Sequence, residues 1–163
     1  MSDKNFFKVS GSFSRPANTT AYASGDLVAD TVTAGSVEAL VLTAEASERP
    51  LPNKVGAVRR VMLKKSATST TNADFRIHLF TEPPTTFSNG DNGALACDGM
   101  AGYLGFVDVT VGSTFLTDGS AGYAGPTANS FFSGAKLYAV IEARAAYTPA
   151  SEETFTVEVE GAA

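Results

Sequence analysis

The chain has 163 residues, a formal net charge of −5, 44% hydrophobic and only 18% charged residues. That balance excludes a disordered tail and a membrane-embedded chain, and it fits one globular domain. A chain of this size buries roughly 68–70% of its unfolded surface, so it can hold a core without metal or disulfide.

Taken in order, the first segment, Met1 to Pro16, sets Phe6, Phe7, Val9 and Phe13 among polar residues. It reads as a first strand, or as an arm whose aromatic residues dock on a neighbour. The start lacks the continuous apolar stretch of a signal peptide, and no window approaches the length of a membrane span. These features lead us to expect a soluble chain made in the cytoplasm. Pro16 breaks the run, and residues 17–163 read as one domain. Ala21 to Thr33 is extended, with a bend at Ser24-Gly25-Asp26. Val37 to Thr43 fits a strand by alternation and a two-turn helix by its apolar stripe; flanking Gly35, Pro50 and Pro52 favour the strand.

Val55 to Lys65 and Asp74 to Phe80 both read as strands. In the second, Phe75, Ile77 and Leu79 alternate with Arg76 and His78. The small, polar segment Ser66 to Ala73 between them predicts a β-hairpin with a wide loop, which would bring Arg76 and His78 across from Arg60 and Lys64. Pro83, Pro84, Asn89-Gly90, Asp91 and Asn92-Gly93 then predict a long turn-rich excursion. Tyr103 to Val111 alternates again, with Val107, Val109 and Val111 on one face. Gly112 to Gly125 reads as a further loop. Lys136 to Ala143 has two largely apolar faces and belongs deep in a sheet. Thr154 to Glu160 closes the chain with Phe155, Val157 and Val159 inward. About eight or nine strands without a long helix predict an all-β, antiparallel sandwich of jelly-roll type.

Few residues suggest chemistry. His78 is the one histidine and Cys97 the one cysteine, too few nitrogen and sulfur donors for a zinc or iron site. Asp98 beside Cys97 would raise its pKa, which makes a poor nucleophile. Neither a serine elbow nor a phosphate-binding glycine loop occurs. Asp91 and Asp98 lack the spacing of a calcium loop, and turn chemistry accounts for them better. The residues therefore predict no enzyme, no cofactor and no metal. A sandwich glycoside hydrolase is a third reading, weakened by the absence of tryptophan for a substrate cleft.

Charge is more informative. Between Arg49 and Arg76 seven basic residues face Asp74 alone, a net of +6, while the remainder carries five bases and 16 acids, a net of −11. A strand face carrying Arg60 and Lys64 would dock on an acidic protein surface or simply discourage edge pairing. The acidic pI, about 4.8, and the lack of interleaved aromatics argue against nucleic acid.

Several pieces resemble a family of small virion proteins of tailed bacteriophages. They are Phe13-Ser14-Arg15-Pro16-Ala17-Asn18-Thr19-Thr20-Ala21-Tyr22 with Gly25-Asp26, then Phe75 to Phe80 with Pro83-Pro84-Thr85, and Asn89-Gly90-Asp91-Asn92-Gly93-Ala94. The strand Tyr103 to Asp108 and the ending from Leu137-Tyr138 through Tyr147-Thr148-Pro149-Ala150-Ser151 complete the likeness. The resemblance spans most of the chain, but its motifs are turns and strands. It implies a head decoration or cement role and no site residues.

These readings lead to an expected function: a structural protein on the capsid surface of a phage virion, bound to the major capsid protein and stabilising the assembled head. It would be a homo-oligomer, a trimer by preference, with no membrane or nucleic-acid partner. Phe6, Phe7, Phe13, Arg59, Arg60, Lys64 and Arg76 are the candidate docking residues. The alternative is a receptor- or carbohydrate-binding sandwich of a tail fibre, using the loops Asn89 to Gly99 and Gly112 to Gly125.

Overall fold

The computed structural model describes residues 6–44, 55–114, 118–125, 131–133 and 136–162. They form thirteen strands, several of them only two or three residues long: β1 (Phe6–Ser14), β2 (Leu27–Val28), β3 (Leu40–Leu42), β4 (Val55–Lys65), β5 (Asp74–Phe80), β6 (Thr86–Phe87), β7 (Cys97–Asp98), β8 (Tyr103–Thr110), β9 (Ser113–Thr114), β10 (Ser120–Ala124), β11 (Phe131–Ser133), β12 (Leu137–Ala143) and β13 (Thr154–Ala162). The one helical piece among them is a 3-10 turn, Met100–Gly102.

Two antiparallel sheets face each other. The first has the order β1-β13-β4-β10-β9, with β11 also on β4; the second has the order β2-β12-β5-β8, with β3 also on β12. β6 and β7 pair separately beside them. Alternation builds the core. From the first sheet Phe7, Val9, Val61, Leu63, Phe155, Val157 and Val159 point inward, and from the second Phe75, Ile77, Leu79, Val107, Val109, Leu137 and Ile141 meet them. Each fully buried Ile, Leu, Val or Phe contributes roughly 1.5–3 kcal/mol of transfer free energy. Phe75 joins the layers by edge-on contacts with Phe155 and Tyr147 at 5.5 and 5.3 Å. The all-β antiparallel sandwich expected from the sequence is thus the fold.

Both open sides of the sandwich are pinched. On one, Ser10 of β1 exchanges backbone hydrogen bonds with Thr43 just after β3, at 2.9 and 3.0 Å. On the other, β10 approaches the end of β8 so closely that a Cβ on Gly122 would lie 2.1 Å from the Thr110 carbonyl oxygen. β12 is covered on its outer side too. A second cluster of Leu27, Ala29, Val37, Ala39, Phe80 and Phe87 packs on Val140, which is why this strand carries two apolar faces.

Most strand expectations hold. Phe6–Ser14 of the first segment form a strand, residues 1–5 lying outside the described residues; the Ser24-Gly25 turn lies where the chain bends with Gly25 at φ 101°, and Val37 to Thr43 contributes strand β3 rather than a helix. Two expectations are corrected. β4 and β5 do not form a hairpin: β4 pairs with β13, β10 and β11, and β5 pairs with β12 and β8. The eight residues Ser66 to Ala73 cross from one sheet to the other, a gap of about 10 Å. Two alternating strands joined by a polar segment look the same in sequence whether they pair or cross. Nor is Gly112 to Gly125 simply a loop, because it contains β9 and β10. Ser-Ala-Gly-Tyr-Ala shows no apolar alternation, and its glycine answers the close approach of β8 rather than a turn.

Candidate functional site

The outer face of the first sheet is the most functional-looking surface. β1 displays Phe6, Lys8, Ser10, Ser12 and Ser14; β13 displays Thr154, Thr156, Glu158 and Glu160; β4 displays Arg60, Met62 and Lys64; β10 displays Ala121 and Tyr123. These assignments follow from the cross-strand register, in which Tyr123, Met62, Glu158 and Ser10 form one row and Ala121, Lys64, Thr156 and Ser12 the next. The register of β4 against β13 shifts between Glu160 and Gly161, passing over Arg59. Such a bulge turns two successive residues toward one side. Arg59 is accordingly exposed beside the half-exposed Arg60.

The basic span is met by acids from the end of the chain. Arg60 Nη2 lies 2.7 Å from Glu160 Oε1, and Glu158 Oε2 sits between Lys64 Nζ at 3.2 Å and Lys8 Nζ at 3.3 Å. The charge segregation along the sequence is therefore largely cancelled in space. Among the described residues of this face, four cations, Lys8, Arg59, Arg60 and Lys64, stand against two carboxylates. Phe6 and Tyr123 remain 59% and 67% exposed, and the Arg60 guanidinium lies 5.5 Å from the centre of the Tyr123 ring.

The seven candidate docking residues do not share one surface. Phe6, Arg59, Arg60 and Lys64 lie on this outer face. Phe7 is corrected to a core residue, 4% exposed, because the next position along a strand faces the opposite side. Phe13 is half-buried against Phe155, ring centres 6.0 Å apart. Arg76 belongs to the second sheet, so its expected place opposite Arg60 and Lys64 is also corrected. There its Nε and Nη2 donate to the two Asp108 oxygens at 2.7 and 2.9 Å, and it stacks 3.7 Å above the Phe106 ring. Those hydrogen bonds hold the Asp108 carboxyl below its ordinary value. Arg49 and Lys54 lie outside the described residues.

Beside Arg76, His78 Nε2 is 2.8 Å from Glu142 Oε2 and its Nδ1 is 3.0 Å from Tyr103 Oη. A carboxylate can only accept, so the neutral ring carries its proton on Nε2 and takes the Tyr103 proton at Nδ1. Burial pushes His78 below its ordinary value against the opposing pull of Glu142. Burial pushes Glu142 up, but hydrogen bonds from His78 and Arg144 outweigh it and leave the carboxyl low. Cys97 is raised by burial and then by Asp98, as its neighbour in sequence foretold.

The turn motifs are committed to the interior. Asp91 accepts from Arg15 Nη2 at 2.8 Å, from Tyr22 Oη at 2.7 Å and from the Ala29 amide at 2.9 Å, while Arg15 Nε donates to Tyr22 Oη at 2.8 Å. Both side chains of the Arg15–Asp91 pair are fully buried. Arg15 also reaches Asn18 and the Ala150 carbonyl. Asp91 is thereby an internal anchor, in keeping with the turn reading and not with a calcium ligand. A second sealed pair lies nearby: Lys65 Nζ is 3.3 Å from Glu153, whose carboxylate accepts a hydrogen bond from the Tyr147 hydroxyl at 2.7 Å. Lys65 also donates to the carbonyls of Ala67 and Ser69, fixing the start of the crossover.

Tyr123, Lys8 and the acids Glu158 and Glu160 were missed as parts of the face. The outward position of both glutamates was legible from alternation, but their pairing with β4, about a hundred residues earlier, had no local signal. Among the described residues no group of three or more His, Cys, Asp and Glu side chains is placed to hold a metal, and no helix is long and apolar enough to cross a membrane. Neither the protein-family models nor the curated proteins include a match to this chain.

Proposed function

We propose that this chain is a structural protein of a tailed-bacteriophage virion, a decoration or cement protein that sits on the capsid surface and stabilises the assembled head. The observation that carries the reading is the outer face of the first sheet. Among the described residues it presents more cations than carboxylates and an exposed Phe6 ring on a two-sheet body, with Phe6, Lys8, Arg59 and Arg60 gathered toward one end. Arg and aromatic side chains are enriched in protein interfaces, and a cationic face is drawn to an acidic partner surface. The resemblance of the turn motifs to small virion proteins supports the same reading.

In this role the partner is the major capsid protein, and the docking end lies against a capsomer junction. A symmetric homo-oligomer, a trimer by preference, presents several such ends at once. A ligand that binds only the assembled shell stabilises that shell by linkage, and repeated copies multiply the effect. The chain is made in the host cytoplasm and is carried on the finished particle.

The test is charge reversal at the bulge. Arg59→Glu with Arg60→Glu should release the protein from purified particles while its circular dichroism stays that of the parent. Full occupancy by the doubly reversed, folded protein would overturn the docking assignment.

A further inference from the structure

We propose that the other end of the same face carries a binding site for a pyranose unit of a polysaccharide. This inference does not rest on head docking. Lys64 lies four residues beyond Arg60 on β4, roughly 13 Å away along a strand, and the two ends meet at Tyr123, whose ring centre is 5.5 Å from the Arg60 guanidinium.

A cleft of about 570 Å³ opens here, within the range of roughly 300–1,000 Å³ typical of small-molecule sites. Its shape follows from the strand register. Ala121 stands between Lys64 of β4 and Ser113 of β9 in one cross-strand row, so a methyl group forms a low floor between taller neighbours. Tyr123 and Met62 make the wall on one side, and Ser113 and Asp118 also line the cleft. Gly112 and Gly122 add no side chains to fill it.

The lining selects a chemistry. An exposed phenol ring next to a thioether offers an apolar platform, which suits the C–H face of a sugar ring. Lys64 supplies only donors, the Asp118 carboxylate only acceptors, and the Ser113 hydroxyl both. A ligand that satisfies all three presents groups that both donate and accept, as sugar hydroxyls do. A bare anion would meet Asp118 and a bare cation would meet Lys64. Lys64 is itself paired with Glu158 at 3.2 Å and has further N–H donors for a ligand, whereas Thr110 Oγ1 donates to Asp74 at 2.6 Å, Ser120 Oγ donates to the Ala67 carbonyl at 2.7 Å, and the Lys65 ammonium is sealed against Glu153.

The placement sharpens the choice between the two glycine-rich loops. The carboxylate of the Asn89 to Gly93 turn is consumed by Arg15, Tyr22 and Ala29, whereas Gly112, Ser113, Asp118 and Tyr123 line the cleft.

Gly112 makes a clean test possible. A Cβ built there meets no atom of the described residues within 4 Å, and its φ is not among the positive ones, so Gly112→Leu can block the cleft without straining the backbone. The full-length protein would be applied to an array of neutral and acidic hexopyranosides and bacterial polysaccharide fragments, and the best-bound glycan would then be titrated by calorimetry. We expect selective binding that weakens about tenfold or more in Tyr123→Ala and disappears in Gly112→Leu, with thermal unfolding of both variants near that of the parent. Phe6→Ala, at the docking end, should bind the glycan as the parent does. The absence of selective binding to any array member would overturn the proposal. Binding that survives both Tyr123→Ala and Gly112→Leu would also overturn it, by placing the sugar elsewhere. Particle occupancy of the same variants, measured in parallel, separates a failure here from a failure of the head-docking reading.

Discussion

The Arg15–Asp91 and Arg60–Glu160 pairs have nearly equal separations, 2.8 and 2.7 Å, yet the first is sealed from solvent and the second is more than one-third exposed on both sides. Geometry alone would rank them together. Their surroundings separate them, because a buried charge that loses its partner has no water to turn to, while an exposed one does. The sealed pair, with Tyr22 and the Ala29 amide, joins the turn after β1, the entry to β2 and the Asn89 to Gly93 loop. The exposed pair merely balances charge on a face that is free to meet a partner. The polar residues of the turn motifs thus serve the fold, and the plainer residues of β4, β10 and β13 provide the surface available for function.

The largest effect expected is from breaking the sealed pair. Arg15→Ala leaves Asp91 buried and uncompensated, which should cost about 3–5 kcal/mol, whereas Arg60→Ala should cost at most about 1 kcal/mol. Urea denaturation of the two variants measures both. Equal losses would erase the distinction between interior and face.

Backbone approach offers a second contrast. A Cβ at Gly122 would lie 2.1 Å from the Thr110 oxygen, while one at Gly112 meets nothing. Gly122→Ala should therefore cost about 1–3 kcal/mol by overpacking, and Gly112→Ala should stay within about 0.5 kcal/mol of the parent. Thermal melts of the pair would show whether the pinch between β8 and β10 is as tight as described.

A smaller effect belongs to the second sheet. Burial depresses the His78 pKa in the folded chain, so the unfolded chain takes up that proton first, near pH 6.5. Between the unfolded and folded values the unfolded state holds more protons, so stability falls as pH drops through that window and is complete above it. Asp108 and Glu142, both held low, extend the decline into the carboxylate range. Denaturant midpoints from pH 7 to 5 should fall for the parent and fall less for His78→Gln. Lys64→Ala should cost about 0.2–1 kcal/mol in the same denaturation, because the lysine side of its contact with Glu158 is half-open to water.

Much of the fold was legible because burial imposes local patterns. Phe75, Ile77 and Leu79, then Val107, Val109 and Val111, then Phe155, Val157 and Val159 announce one buried face each, and Leu137 to Ala143 announces two. Connectivity was not legible. Nothing in Ser66 to Ala73 tells a hairpin from a crossover, since the decision rests with β13 and β12, which arrive much later and take the hydrogen bonds of β4 and β5. β10 was hidden for a related reason: Gly122 is needed by Thr110, a distant neighbour, and glycine in a short stretch reads as a turn. The candidate face was half legible. Arg59, Arg60 and Lys64 were evident as a basic run and Phe6 as an aromatic in the first strand. Phe7 was not distinguishable from Phe6 until the register of β1 was known, and Tyr123 disappeared into an apparent loop.

In the role proposed above, the face of the first sheet serves a viral particle. The copy number of this chain relative to the major capsid protein, measured in purified virions by quantitative mass spectrometry, tests it most directly. A ratio of the same order as the capsid subunits is expected of a protein that covers the head. A handful of copies per particle would contradict the decoration role and direct attention to the tail, and complete absence would contradict the virion assignment itself.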